Sequence, residues 1–425
     1  MKICFARRPA KGADCREIQG FIYYTFQYFY TLFYIILYSS RKVKVWRHKF
    51  MTEIFLIRHT QAEGNLYRMM QGHWDGDITE LGRSEIALLA ERFKDERIDA
   101  VYSSDLYRAR MTAGAITKYH DIPLNVDTDL REINVGPWET MFFGNVMRDE
   151  PALAQDFMQN PAAWHIDGAE TYFDVQKRAY KALLNIAARH EGQRVAVVSH
   201  GVTIRCIIAK VLGTPIERFG EVPIVNNTAV TALNYAHGAF TPLYINDYSH
   251  LDALELPVWK RNSALSDLPI DLKFDSDYYC DCYAGTWIAA HGDLEGFSAP
   301  AYLSAAQEHC KNDSGSVLVI YDGEKPVGLI DMDVKRGAAE GFGWISLIYL
   351  RPDYRGQGYG IQVLARAIKK YTALGRHELR LHVAQENAAA ISFYKKYGFE
   401  IVGEQRGAVG MQFLMRRELK GEKHA

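Results

Sequence analysis

Apolar runs of strand length alternate with segments of helical periodicity between residues 51 and 255. Ile54–Ile57 and Val195–Val198 are apolar throughout, as in strands that are buried on both faces. The segment after Thr79 and the segment from Tyr172 to His190 repeat apolar side chains at helical spacing, so each predicts an amphipathic helix. This alternation predicts an α/β fold in three layers, with a parallel sheet in the middle layer. Residues 140–170 show no regular pattern, and we expect them to be irregular and to form a lid.

The pattern changes toward the C-terminus. Residues 256–270 contain Pro257 and Pro269 and have no sustained period, so they predict a linker. From residue 271 to residue 425 the pattern predicts several strands, with Asp322-Gly323 typical of a hairpin. It also predicts a helix after RPDYRGQGYG and another over NAAAISFYKKYGF. We therefore expect a second domain of the α+β class, with a mixed and mainly antiparallel sheet.

Residues 1–50 differ from both predicted domains. They carry ten Lys or Arg and only two acidic residues, a charge of +8. Phe21–Tyr38 is an uncharged run of 18 residues, just long enough for a membrane span, but it contains six tyrosines and has five basic residues on each side. Our hypothesis is that translation begins at Met51, and a weak membrane anchor within residues 21–38 is the alternative. Without such an anchor we expect no membrane partner.

Composition narrows the class of protein. The 50 basic residues nearly balance the 51 acidic ones, so there is no overall basic field that would indicate nucleic-acid binding. The six cysteines follow neither a disulfide spacing nor a zinc spacing. Free thiols are typical of a reducing compartment, so we expect a cytoplasmic protein.

Polar side chains suited to phosphoryl chemistry follow several of the predicted strands. Arg58 and His59 end the first strand, His200 ends another, and Arg108 and Glu132 lie in further strand-end segments. Because the carboxyl ends of parallel strands meet at one edge of a sheet, we expect these five residues to converge on an oxyanion. Taken alone, each histidine is more typical of a structural strand end.

Five motifs occur in order over residues 52–252: RHTQAEGN, ITELG, SSDLYRARMTA, LREINVGPWE and VVSHGVTIR. In this arrangement the chain resembles the histidine phosphatase superfamily, in its phosphoglycerate-mutase-like branch. The resemblance implies that His59 is the nucleophile and becomes a phosphohistidine. It implies that Glu132 is the general acid and later the base, and that no metal is required. The phosphoryl oxygens would be bound by Arg58, Arg108 and a protonated His200, with substrate contacts from Asn65, Gln71 and Gly72.

Two departures from the family pattern bear on the reaction. Thr140 stands where the family usually has a glycine after Glu139, and the lid segment is short. An open lid admits water and favours hydrolysis over return of the phosphoryl group to the substrate. We therefore expect hydrolysis of a small-molecule phosphate ester, with transfer of the phosphoglycerate mutase type as the alternative.

A glycine-rich stretch between a predicted strand and a predicted helix carries the second candidate chemistry. Its spacing is neither that of a dinucleotide fingerprint nor that of a P-loop, and alone it is equally typical of a structural turn. With IYLRPDY before it and NAAAISFYKKYGFEIVGE after it, however, the segment resembles the GNAT acetyltransferases over residues 275–416. The resemblance implies acetyl-CoA as cofactor and transfer of an acetyl group to an unidentified amine.

The same resemblance assigns the cofactor contacts. The pyrophosphate of coenzyme A would be held by backbone amides of Arg355, Gly356, Gln357, Gly358, Tyr359 and Gly360. The pantetheine arm would pair with backbone groups of Ile348 and Leu350, and Asn387 would assist. Tyr394 would protonate the departing thiolate, whereas no general base is apparent. The chain is thus expected to be a bifunctional enzyme, and a GNAT domain that only binds acetyl-CoA is the alternative.

Overall fold

The computed structural model describes residues 51–254, 264–273 and 275–419. The candidate anchor and most of the predicted linker lie outside these residues. Within them, no helix is long and apolar enough to cross a bilayer. The strands are β1 (Thr52–Arg58), β2 (Ala100–Ser103), β3 (Leu124–Val126), β4 (Arg194–Ser199), β5 (Val230–Ala236), β6 (Ala239–Asp247), β7 (Ser266–Pro269), β8 (Val317–Asp322), β9 (Lys325–Asp333), β10 (Phe342–Leu350), β11 (Glu378–Ala384), β12 (Glu400–Arg406) and β13 (Met411–Glu418). The helices are α1 (Glu63–Tyr67), α2 (Glu80–Phe93), α3 (Tyr107–Thr117), α4 (Phe143–Asp149), α5 (Pro151–Gln159), α6 (Tyr172–Arg189), α7 (Gly201–Leu212), α8 (Ser276–His291), α9 (Ala299–Asn312), α10 (Tyr359–Ala373) and α11 (Ala388–Lys396).

The first sheet has the order β3-β2-β4-β1-β5-β6, and its first four strands are parallel. Side chains of β1 alternate between the two faces. Ile54 and Leu56 pack with α6 and α7, while Phe55 and Ile57 pack with α2 and α3. This confirms the predicted three-layer α/β class. Strand β5 runs antiparallel to β1, and β6 runs antiparallel to β5, so the sheet is mostly rather than entirely parallel.

The expectation that residues 140–170 are irregular is wrong. They contain α4 and α5, and Pro151 occupies the first turn of α5, where its missing amide proton costs nothing. Val146 and Ala154 are buried against Trp138 and Trp164. Helices of seven and nine residues are too short for periodicity to identify, which is why the sequence pattern missed them.

The second sheet has the order β12-β13-β11-β10-β9-β8-β7, and β10–β11 is its parallel pair among the described strands. The predicted α+β class is therefore confirmed. Helix α10 packs on one face, and α8 and α9 pack on the other. Strand β7 pairs with β8, so the linker predicted over residues 256–270 extends too far toward the C-terminus.

Candidate active sites

Two histidines face each other where β1 and β4 end. His59 follows β1 and His200 follows β4, and the two strands pair in parallel as far as Arg58 and Ser199. Their ring centroids lie 5.0 Å apart with a tilt of 52°. His59 is 2% exposed and His200 is fully buried. The parallel register therefore brings the two rings together at the carboxyl edge of the sheet, where ligands bind in folds of this class.

The ring of His59 is held in one tautomer. Its Nδ1 lies 2.6 Å from the carbonyl oxygen of Thr60 and donates a hydrogen to it. Burial, reinforced by the positive charges of Arg108 and Arg58, holds the pKa of His59 well below its usual range. A neutral ring with its hydrogen on Nδ1 leaves a free lone pair on Nε2, which is the state that a nucleophile needs.

His200 is also neutral before ligand binding. Burial is the main cause of a pKa well below the usual value, and the nearby Arg108 and His59 lower it further. The expectation of a protonated His200 concerns the site with a phosphoryl group bound, and it stays a prediction. Both ring nitrogens are buried, and neither has a hydrogen-bond partner within the described residues. A buried polar atom without a hydrogen-bond partner costs free energy, so these two nitrogens are expected to contact a ligand.

The guanidinium of Arg108 is fixed by a loop that follows α1. Its Nη1 donates to the carbonyl oxygen of Trp74 at 2.8 Å and to Asp75 Oδ1 at 3.1 Å, and its Nη2 donates to the carbonyl oxygen of Gly72 at 2.7 Å. Arg108 is fully buried, and its Nε has no partner in the described part of the chain. Three acceptors thus set the orientation of the Arg108 guanidinium, while its Nε–H remains available.

Arg58 is also held by a backbone carbonyl oxygen. Its Nη1 donates to the carbonyl oxygen of Val225 at 2.6 Å, whereas its buried Nε has no partner among the described residues. A Cβ built on Gly201 would lie 3.4 Å from Arg58 Nε and 3.7 Å from Glu132 Oε2. The guanidinium and the carboxylate therefore lie beside the same turn, at the start of α7.

The carboxylate of Glu132 lies against the N-terminus of α7. Its Oε2 accepts from the amide of Val202 at 3.1 Å, and its Oε1 accepts from the amide of Thr203 at 3.1 Å and from the Thr203 hydroxyl at 3.2 Å. Arg178 donates to the Glu132 carbonyl oxygen at 2.9 Å. Both ends of this residue are thus held in place, which suits a group that must deliver a proton to a defined position.

The three predicted substrate-contact residues differ in their surroundings. Asn65 Oδ1 accepts from the amide of Ala62 at 3.0 Å and so closes the first turn of α1. Gln71 Oε1 is buried and without a partner in the described residues. Gly72 contributes its carbonyl oxygen to Arg108. Of the three, Gln71 is the one with an unsatisfied buried group.

Two acidic residues that sequence reasoning missed hold the loop around Arg108. Glu139 accepts from the amide of His73 at 2.8 Å and from the amide of Trp74 at 2.9 Å, and burial raises its pKa. Asp75 accepts from Arg108 Nη1, and burial raises its pKa despite the nearby guanidinium. The sequence offered only weak signals: Asp75 lies in a Gly- and Asp-rich loop, and Glu139 lies in the GPWE motif.

A cavity of about 1000 Å³ lies elsewhere, between the two halves of the described chain. Tyr67 and Trp74 line it from the first half, and Lys369, Tyr397 and Arg417 line it from the second. None of Arg58, His59, Arg108, Glu132 or His200 contributes to its wall. The polar cluster around His59 and His200 is therefore not part of this cavity.

The glycine stretch of the second half forms the turn that begins α10. Gly356 and Gly358 have φ angles of 71° and 85°, which disfavour side chains with a Cβ. A Cβ on Gly360 would lie 2.7 Å from Phe393 Cε2. Arg355 Nε donates to the carbonyl oxygen of Leu350 at 2.8 Å and so ties the turn to the end of β10. The amide of Arg355 already donates to the carbonyl oxygen of Pro352 at 3.1 Å, so this predicted contact is taken in the structure. Backbone amides at the start of a helix suit a pyrophosphate.

Strand β10 separates from β11 halfway along its length. The two pair only over residues 342–345, and the register of β10 against β9 shifts just beyond that point. The amide of Arg351 donates to the carbonyl oxygen of Val327 on the β9 side at 2.9 Å. Because backbone groups of alternate residues point to opposite sides, Ile348 and Leu350 direct theirs toward the side that β11 has left. An extended ligand can pair there as an added strand.

The remaining predicted residues of this half lie on α11. Asn387 is the N-cap, and its side-chain oxygen accepts from the amide of Ala390 at 3.0 Å. Tyr394 is 9% exposed and packs against Phe393 and Phe399. Burial raises the pKa of its hydroxyl, so the hydroxyl stays protonated at neutral pH. Phe393 also contacts Gly360, which places α11 against the glycine turn.

Comparison with known proteins agrees with this division into two halves. The family model described as "Histidine phosphatase superfamily (branch 1)" matches residues 54–248, and the model described as "Acetyltransferase (GNAT) family" matches residues 277–399.

Several named proteins are similar to the first half. The metal-independent phosphoserine phosphatase of Arabidopsis thaliana is 36% identical over 164 residues, which are 38% of this chain and 69% of that protein. Phosphoserine phosphatase 1 of Hydrogenobacter thermophilus is 31% identical over 169 residues, 40% of this chain and 80% of that protein. Probable phosphoglycerate mutase GpmB of Photorhabdus laumondii is 27% identical over 216 residues, 50% of this chain and 100% of that protein.

Among solved structures, Bacillus stearothermophilus YhfR is 33% identical, with a TM-score of 0.46, and the match covers 47% of this chain and 100% of that one. The relatives include phosphatases and mutases, so the first half is an enzyme domain of the phosphatase or mutase type. The chain belongs to the histidine phosphatase superfamily, and a GNAT-family acetyltransferase domain follows its phosphatase domain.

Proposed function

We propose that the first domain hydrolyses phosphomonoesters through a phosphohistidine on His59, without a metal. The supporting observation is the set of polar atoms that are buried and lack partners within the described residues beside the His59 ring. They are Arg58 Nε, Arg108 Nε and both ring nitrogens of His200. Two guanidiniums and a histidine that can take up a proton match the charge of a phosphoryl dianion, and prepositioned charge of this kind is the main source of catalysis in phosphoryl transfer.

The proposed reaction has two displacements. His59 Nε2 attacks phosphorus, the bond from phosphorus to the ester oxygen breaks, and Glu132 gives its proton to that oxygen. Glu132 then takes a proton from water while the water oxygen attacks phosphorus and the bond from phosphorus to His59 Nε2 breaks. This step releases inorganic phosphate and returns the electron pair to Nε2 of the neutral His59 ring. Protonated His200 and the two arginines hold the equatorial oxygens in both steps. Because His200 is neutral in the free site, its proton arrives with the substrate or from solvent on binding.

The substrate class that we propose is a small phosphate ester of an alcohol. The phosphoserine phosphatases among the relatives make phosphoserine the first compound to test. The side-chain oxygen of Gln71 is buried and unsatisfied, so Gln71 is the side chain best suited to form a hydrogen bond with the alcohol part of the substrate. Asn65 and the Gly72 segment complete the proposed contacts. Phosphoryl transfer of the phosphoglycerate mutase type is the second candidate, supported by the similarity to GpmB proteins.

The test compares the full chain with its His59→Ala variant on para-nitrophenyl phosphate and on phosphoserine. We expect turnover by the wild type to persist in excess EDTA and to disappear in the variant. Acid-labile label from a phosphate-labelled substrate should be trapped on the wild type only. Substantial hydrolysis by a correctly folded His59→Ala variant would refute the nucleophile, and loss of wild-type turnover in EDTA would refute metal independence.

For the second domain we propose acetyl-CoA-dependent N-acetylation of a small-molecule or peptide amine. When bound, acetyl-CoA would supply the acetyl group that the amine receives. The turn from Arg355 to Gly360 would hold the pyrophosphate with its amides from Gly356 onward, and Ile348 and Leu350 would pair with the extended arm. Asn387 would orient the start of α11, and Tyr394 would hold a proton on its hydroxyl oxygen.

Gly358→Glu tests the cofactor site. A side chain is strained at a φ of 85°, and its carboxylate would repel a pyrophosphate. We expect acetyl-CoA to raise the unfolding temperature of the wild type and to leave that of the variant unchanged. Equal stabilisation of both chains would contradict the proposed turn, whereas binding without acetylation of any amine in a broad screen would favour the alternative of a binding-only domain.

The free cysteines support the proposed cytoplasmic location. Cys206, Cys280, Cys282 and Cys310 form no disulfide in the described part of the chain. Unbridged thiols are expected in a reducing compartment.

A further inference from the structure

Thr140 adopts a backbone conformation that its side chain disfavours. Its φ is 64°, in the left-handed region, which is a marked outlier for a β-branched residue. The strained residue is nevertheless part of a regular pairing. Its amide donates to the carbonyl oxygen of Met70 at 2.9 Å, and the amide of Met70 donates to the carbonyl oxygen of Met141 at 2.8 Å. Conformations of this kind persist only where the surroundings hold them in place.

This pairing sets the position of the loop that holds Arg108. Met70 is followed directly by Gln71 and Gly72, and the carbonyl oxygen of Gly72 accepts from Arg108 Nη2. Glu139, the neighbour of Thr140, holds the next two backbone amides of the same loop. A shift of the backbone at Thr140 would therefore move two anchors of the Arg108 guanidinium.

The group that holds Thr140 in place comes from the other domain. Lys369 lies on α10, and its Nζ donates to the carbonyl oxygen of Thr140 at 2.6 Å, although the two residues are 229 positions apart. Lys369 is half-buried, so the contact is only partly screened by water. A charged donor to a backbone carbonyl is among the stronger hydrogen bonds in proteins.

Other contacts keep the two domains together without Lys369. Arg366, one turn earlier on α10, is 4% exposed, and its Cζ lies 3.5 Å from the ring centroid of Phe142. Its Nη1 donates to Asn145 Oδ1 of the first domain at 2.9 Å. The contact of Lys369 with Thr140 is thus not needed to hold the two domains together. Its effect is to fix the strained backbone at Thr140.

We propose that Lys369 is a positioning residue for the phosphatase site, supplied by the acetyltransferase domain. Its ammonium fixes the carbonyl oxygen of Thr140 and thereby the loop that orients Arg108. The second domain therefore completes the phosphoryl site of the first. This inference rests on the proposed phosphatase function.

The experiment uses the full chain with Lys369→Met, which keeps the aliphatic stem and removes the donor. The matched control is Lys370→Met, on the same helix, whose Nζ pairs with Asp313 within its own domain at 2.7 Å. We expect Lys369→Met to lower kcat/KM for para-nitrophenyl phosphate by about tenfold, the effect of losing one charge-assisted hydrogen bond. Its affinity for orthovanadate should fall by a similar factor, because the same guanidinium holds that oxyanion. Lys370→Met should keep wild-type values.

A second variant separates positioning from general damage. Glycine adopts a left-handed conformation without strain, so in the Thr140→Gly background the lysine should be dispensable. In the Thr140→Gly background we expect Lys369→Met to lower kcat/KM by less than about threefold. The effects of the two substitutions on kcat/KM would then be strongly coupled. Equal losses in both backgrounds, or full activity and vanadate affinity in Lys369→Met, would overturn the role of Lys369. An inactive wild type would instead overturn the proposed phosphatase function, and this inference with it.

Discussion

Replacing Arg108 with methionine should destabilise the phosphatase domain by about 4 kcal/mol, since removing one partner of a buried ion pair costs about 3–5 kcal/mol. Arg108 is fully buried, and the side chain of Asp75 beside it is 6% exposed. The change leaves that carboxylate without its counter-ion and removes the hydrogen bonds that Arg108 donates to the carbonyl oxygens of Gly72 and Trp74. Orphaned acceptors cost about 1–3 kcal/mol each, but these costs overlap with that of the ion pair and do not simply add.

Arg131→Met is the matched control. Arg131 also pairs with an aspartate, Asp105, but its side chain is 33% exposed and that of Asp105 is 15% exposed. We expect a loss of no more than about 1 kcal/mol, as for pairs near the surface. Denaturation in guanidinium chloride, followed by tryptophan fluorescence, measures both values.

The double variant Asp75→Asn/Arg108→Met tests the physical reason. Burial raises the pKa of Asp75 even beside the guanidinium, so desolvation outweighs the attraction between the two charges. Neutralising the carboxylate in the absence of Arg108 should therefore recover part of the lost stability. Arg108→Met and Arg131→Met with equal small losses, or a double variant less stable than Arg108→Met alone, would refute this account of the loop.

Two further predictions concern the chemistry of the site. Glu132→Ala should slow phosphoserine hydrolysis much more than para-nitrophenyl phosphate hydrolysis, because nitrophenolate leaves without a proton; a steady-state comparison giving equal losses would argue against the acid role. Acid should destabilise the phosphatase domain through His59 and His200. Burial depresses both folded-state pKa values, so the unfolded chain binds more protons, and the stabilising contribution is present above about pH 6.5 and lost as the pH falls below it. Each ring should contribute a slope of up to about 1.4 kcal/mol per pH unit, and His200→Gln should reduce the measured slope; an unchanged slope would contradict the buried neutral ring.

Local sequence features determined much of the fold. Ile54–Ile57 is apolar and followed by Arg58 and His59, which is enough to predict a buried strand with polar groups at its carboxyl end. The rule that such ends meet in a parallel sheet then brings His200 toward His59 without any knowledge of the contacts between them. The glycine turn before α10 was equally visible, because positive φ angles restrict the residue type locally.

The elements that sequence reasoning missed depend on longer-range effects. Helices α4 and α5 are too short to show a period. They form because Val146 and Ala154 pack against a buried aromatic cluster. The antiparallel direction of β5 leaves no trace in its composition, since a buried strand is apolar in either direction.

The sequence by itself indicated which residues are candidates for the chemistry and at which strand and helix ends they lie. Only the tertiary structure decided their states and supports: the neutral ring of His200, the carboxylate of Glu139 beneath the Arg108 loop, and the contact of Lys369 with Thr140 across 229 positions. The reason is physical. Residue type and short-range periodicity determine local conformation. The burial of a side chain and the charges near it exist only in the folded chain. These properties set the pKa of a buried group, and they bring a strained turn into contact with a residue that is distant in sequence.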